Sequence, residues 1–98
     1  MNRYEYEYTD TFAGEANYCW VKRGKVAMPE LTHYGYTGSP DGSYTRANKA
    51  FSRELVRRVK ARLGLTGIRC KREEWGGMYV LRPYGSATVI FISYCEGD

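Results

Sequence analysis

A chain of 98 residues, 43% hydrophobic and 27% charged, has the balance of one globular core and excludes an intrinsically disordered segment or an array of domains. Nothing approaches the roughly 18 apolar residues of a membrane helix, and Met1-Asn2-Arg3-Tyr4-Glu5 has no apolar run behind it, so neither a membrane partner nor a signal peptide is expected. A net charge of +4 favours acidic partners, nucleic acid among them, and ten tyrosines favour sheets and interfaces.

The first element is a strand from Arg3 to Thr9. Tyr4, Glu5, Tyr6, Glu7 and Tyr8 alternate strictly, which gives a tyrosine face and a glutamate face. Asp10 to Glu15 reads as a turn-forming connection. Strand character resumes from Asn17 to Ala27, with Tyr18, Trp20 and Lys22 on one face and Cys19, Val21 and Arg23 on the other. Gly24 there signals a bulge or an early end, and the two strands are expected to pair as a wide hairpin.

Met28 to Ser43 is the loosest stretch, with Pro29, Gly35, Gly38, Pro40 and Gly42, and Ser39-Pro40-Asp41-Gly42 reads as a turn. The same region carries Leu31, His33, Tyr34, Tyr36 and Tyr44. Long loops in small domains are often functional, which makes Tyr34 and Tyr36 candidate binding residues; aromatics placed there can equally cover the core.

Thr45 to Leu63 reads as the one α-helix. Ser43 or Thr45 can cap its start and Gly64 its end. Phe51, Leu55, Val59 and Leu63 recur at four-residue steps and form a stripe that faces a sheet. Ile68 to Arg72 is a short strand, Glu73 to Gly77 a turn, and Met78 to Arg82 a strand ended by Pro83-Tyr84-Gly85-Ser86. Ala87 to Cys95 is the most hydrophobic strand, with Val89, Ile90, Phe91 and Ile92 expected to be central and covered on both faces. The order β-β-α-β-β-β implies a single α+β domain over residues 1–98. Its architecture is an antiparallel sheet of four to five strands with one amphipathic helix packed on it.

Reactive groups are sparse. His33 is the only histidine, no glycine-rich phosphate loop is present, and Glu73-Glu74 sit at a turn. Cys19, Cys70 and Cys95 are odd in number and isolated, without the spacing of a zinc site or a disulfide framework. Reduced, half-buried strand thiols and a cytoplasmic setting are expected, with no catalysis, no cofactor and no metal.

Charge is concentrated on the helix. Arg46, Lys49, Arg53, Arg57 and Lys60 are spaced three, four, four and three and fall within an arc of about 80° opposite the apolar stripe. Arg58 and Arg62 extend the positive field at its edges. Glu54 is the one acid on the helix, so few local ion pairs are expected to neutralise the ridge. An exposed helix face must be polar in any case, and such a ridge is also what a solvated face looks like. The excess of arginine over lysine favours bidentate contact with phosphate or carboxylate. Both acceptors stay open at this level: an acidic protein surface, or a nucleic-acid backbone bound without sequence preference.

Two stretches carry a family resemblance: Asp10-Thr11-Phe12-Ala13-Gly14-Glu15-Ala16-Asn17-Tyr18-Cys19-Trp20-Val21-Lys22-Arg23, and Leu81-Arg82-Pro83-Tyr84-Gly85-Ser86. They resemble small uncharacterised proteins of bacteriophages and mobile elements. The resemblance implies a setting and no site residues. Small proteins of that setting often act stoichiometrically on a host protein or nucleoprotein complex, as anti-CRISPR and other anti-defence inhibitors do. The Asp10–Asn17 stretch also has a purely structural reading, as turn formers at strand ends.

Overall fold

The computed structural model describes residues 2–38 and 42–95. Five strands, β1 (Asn2–Phe12), β2 (Glu15–Met28), β3 (Cys70–Trp75), β4 (Met78–Pro83) and β5 (Thr88–Cys95), form one antiparallel sheet in the order β2-β1-β5-β4-β3. One helix, α1 (Ser43–Leu63), and a short 3-10 turn (Leu31–Tyr34) complete the fold. The expected α+β class, strand number and single helix all hold. Among the described residues no helix is long and apolar enough to cross a membrane.

The period-2 pattern decides which face is covered. Tyr4, Tyr6 and Tyr8 on β1 pair with Tyr94, Ile92 and Ile90 on β5, and this face packs under the helix. Leu55 and Val59 are fully buried and Phe51 nearly so, against Ile90, Ile92, Leu81, Val26 and Met28. The tyrosine face of β1 is therefore core. Glu5 and Glu7 lie on the opposite face with Phe91; on that face Thr9, Val89 and Val80 are buried, so central β5 is covered on both sides as expected at Val89, while Phe91 stays half-exposed.

Several boundaries differ from those the sequence suggests. The strands of the first hairpin run on to Phe12 and restart at Glu15, leaving a two-residue turn at Ala13 and Gly14 with φ of 54° and 84°. Such paired positive φ values match the twist of the flanking strands. Likewise β3 continues through Trp75, so the next turn is only Gly76-Gly77. The helix starts at Ser43, two residues early, and neither Ser43 nor Thr45 caps it. Ser43 instead accepts a hydrogen bond from the Thr37 amide at 3.2 Å, tying the preceding loop to the helix start. Ser39, Pro40 and Asp41, most of the expected turn there, lie outside the described residues.

Gly24 marks neither a bulge nor an end. It sits mid-strand opposite Tyr6, and a Cβ there would lie 2.3 Å from the Tyr6 hydroxyl oxygen. The glycine gives the Tyr6 ring room to lie over the β2 backbone.

The real irregularity lies further on. Thr9 pairs with Val21 and Thr11 with Ala16, so Asp10 alone opposes Asn17, Tyr18, Cys19 and Trp20. Thr9 and Asp10 satisfy this wide bulge. The Thr9 hydroxyl accepts from the Tyr18 amide and donates to the Trp20 carbonyl, at 3.1 and 2.9 Å. Asp10 accepts from the Asn17 side-chain amide and the Cys19 amide, both at 2.9 Å. Tyr18 takes φ of 54° at the bulge and reaches the glutamate face, where it lies beside Glu5 and Glu7, rather than sharing a face with Trp20. Trp20 packs edge-on against Tyr8, ring centroids 5.0 Å apart.

Candidate functional site

The helix divides the expected site residues from the core. Ala47, Phe51, Ser52, Leu55 and Val59 are buried, and on the opposite side Arg46, Lys49, Arg53 and Arg57 are exposed and Lys60 half-exposed. At about 1.5 Å per residue these five cations extend over about 21 Å of helix axis. The ridge thus exists as the spacing implies, and it faces away from the sheet.

Its electrostatics differ from expectation at one point. Glu54 is not a bystander. It forms a two-pronged ion pair with Arg57 (Nε to Oε1 at 2.8 Å, Nη2 to Oε2 at 2.5 Å) and a second with Arg58 at 3.2 Å. The Arg57 guanidinium, more than any other group, holds the Glu54 carboxyl below its ordinary range, and Glu54 in turn raises Arg57. Arg58 does not extend the ridge. Its Nη1 donates to the Ala27 carbonyl at 2.7 Å and fastens the helix to edge strand β2. Among the described residues Arg46, Lys49, Arg53 and Lys60 are left without an ion pair.

The two tyrosine candidates separate. Tyr34 is half-buried and packs edge-on against Phe51, with ring centroids 5.9 Å apart, so much of its ring belongs to the core margin. Its remaining surface joins Arg53 and Arg57 along a shallow groove. Tyr36 packs on Tyr44 at 5.7 Å and does not line that groove. His33 lies in the 3-10 turn, exposed, with its ring 5.2 Å from Tyr34. Cys19 is exposed rather than half-buried, because the bulge turns it outward; Cys70 and Cys95 are half-buried, and burial pushes the Cys70 thiol up. Among the described residues no three histidine, cysteine, aspartate or glutamate side chains group as metal ligands.

A second groove on the ridge has no counterpart in the sequence reading. Beyond Gly64 the chain turns back: the Leu65 amide bonds the Lys60 carbonyl at 2.8 Å and the Ile68 amide bonds the Leu65 carbonyl at 3.0 Å. This return places Thr66 and Gly67 beside the helix and encloses about 250 Å³ with Arg53, Val56, Arg57 and Lys60, over a mostly apolar lining. Gly64 at the helix end is the one sequence signal that could have suggested it.

The stretches 10–23 and 81–86 meet in space. Arg82 Nη1 donates to the Gly14 carbonyl at 2.9 Å, and the Thr11 amide donates to the Ala87 carbonyl at 2.9 Å. Their described contacts build the hairpin end of the sheet, which favours the structural reading of the Asp10–Asn17 stretch. Comparison with known protein families, curated proteins and solved structures finds no match to this chain.

Proposed function

We propose that this chain is a non-catalytic binding protein that docks its helix ridge on an acidic surface of a partner and acts by occupying that surface. The observation that carries this reading is the row of cations, Arg46, Lys49 and Arg53 exposed and Lys60 half-exposed, without ion pairs among the described residues on the back of a helix whose other side is buried. A ridge serving only as a solvated face gains from pairing with acids on its own surface. Here the acid on the helix is consumed by Arg57 and Arg58 at one edge. Arginine in the row suits bidentate recognition of carboxylates.

The partner class is a host protein or nucleoprotein complex, and the setting is cytoplasmic. The phage resemblance supports an inhibitory, stoichiometric role of the anti-defence kind. A nucleic-acid backbone is the competing acceptor, and salt separates the two. Capture from a host-cell lysate, with and without nuclease, tests the reading: a protein retained after nuclease treatment is the expected result. Retention of nucleic acid alone, lost steeply between low and physiological salt, would move the function to backbone binding.

A further inference from the structure

The groove bounded by Arg53, Val56, Lys60 and the returning chain at Thr66 and Gly67 says more about what the ridge accepts. Its volume of about 250 Å³ lies below the range of small-molecule sites and suits a single side chain. Its lining is mostly apolar, with Val56 half-exposed within it, while three cations stand around it. The aliphatic stems of lysine and arginine can line such a space while their charged heads stay at the rim. A ligand that fills it therefore presents an apolar group between negative groups.

Resting on the docking reading above, we infer that the ridge takes an acidic protein segment whose one apolar side chain enters the groove over Val56 while flanking carboxylates meet Arg53 and Lys60. Charge complementarity sets the acidic flanks. The groove also disfavours a nucleotide in this position. None of its lining residues is aromatic, so an inserted base has no ring to stack on. A leucine or phenylalanine needs none.

The test uses three fluorescein-labelled probes on the full chain at physiological salt: an acidic nonapeptide with a central leucine, the same peptide with a central serine, and a twelve-residue oligothymidine. Burying a leucine side chain corresponds to a preference of about tenfold or more for the leucine peptide over the serine peptide. Val56→Gln is expected to remove that preference. Val56 also packs against the core margin. Thr66→Phe, at an exposed position, therefore serves as the second variant: by filling the groove it is expected to remove the preference in the same way. Equal binding of the two peptides would overturn the groove assignment and leave the acidic-surface reading of the ridge standing. Binding of oligothymidine with neither peptide retained would overturn the inference and transfer the ridge to nucleic acid. A leucine preference that survives in both variants would also overturn it. Failure of all three probes would contradict both the inference and the docking reading.

Discussion

Arg58 donates from its guanidinium to the backbone carbonyl of Ala27 at 2.7 Å, across 31 positions of chain. The bond joins the C-terminal half of the helix to edge strand β2. It divides the helix arginines into two kinds: Arg58 is held by Ala27 and Glu54, whereas Arg53, five residues earlier, has no ion pair among the described residues. Truncating Arg58 to alanine is expected to cost about 1 kcal/mol, the net value of such a bond at a partly exposed site. Truncating Arg53 is expected to stay within about 0.5 kcal/mol. Urea titration of both variants checks this, and equal losses would erase the distinction.

The core makes a larger claim. Leu55 is fully buried among Phe51, Val59 and the β5 isoleucines. Leu55→Ala is expected to destabilise by about 2–5 kcal/mol. For a domain this small, with a total stability on the order of 5–10 kcal/mol, that loss should be plain in a thermal melt. An unchanged melting temperature would mean that the helix packs on a different face.

Gly24 and Tyr6 form a coupled pair. The Tyr6 ring is buried and occupies the space of a Cβ at position 24. Gly24→Ala should cost about 1–3 kcal/mol through overpacking. In a Tyr6→Leu background, where the ring is gone, the same change should cost under about 0.5 kcal/mol. A full double-mutant cycle with no coupling would place the Tyr6 ring elsewhere.

Asp10 predicts a pH dependence. The hydrogen bond from the Asn17 side chain, with those from the Cys19 and Trp20 amides, lowers its pKa below the ordinary 3.8. A carboxyl depressed on folding stabilises the protein above its unfolded pKa, and that contribution is lost as pH falls through the folded value. Wild type should therefore be more stable than Asp10→Ala at neutral pH, and the gap should narrow below about pH 4. Paired melts from pH 7 to pH 2 measure it. A gap independent of pH would show that the carboxylate charge does not hold the bulge.

The parts of this fold that follow a period were legible in the sequence. The alternation of Tyr4 to Tyr8 and the four-residue steps of Phe51, Leu55 and Val59 each mark a buried face, and the structure joins those two faces. The ridge followed from the same helical geometry. Features that depend on a side chain meeting a distant backbone were not legible. Asp10 and Asn17 suggest a turn when read locally, but Thr9 and Asp10 together satisfy enough amides to carry the strand past it. Gly24 looks like a strand breaker until the Tyr6 ring is seen over it. Spacing alone does not show that the Glu54 carboxylate meets two arginines, and the groove at Val56 exists only because the chain returns after Gly64.

Charge reversal on the ridge tests directly whether it binds. Lys49 and Arg53 are the positions to reverse, since neither has an ion pair among the described residues, whereas reversal at Arg57 would also disturb Glu54 and Arg58. Lys49→Glu with Arg53→Glu should leave the melting temperature nearly unchanged, because exposed substitutions usually cost under about 0.5 kcal/mol each. Affinity for the partner captured from nuclease-treated lysate, measured by titration against purified wild type and double variant, should fall by at least about tenfold as repulsion replaces attraction. A double variant that binds that partner as tightly as wild type would contradict the account and leave the ridge as a solvated face.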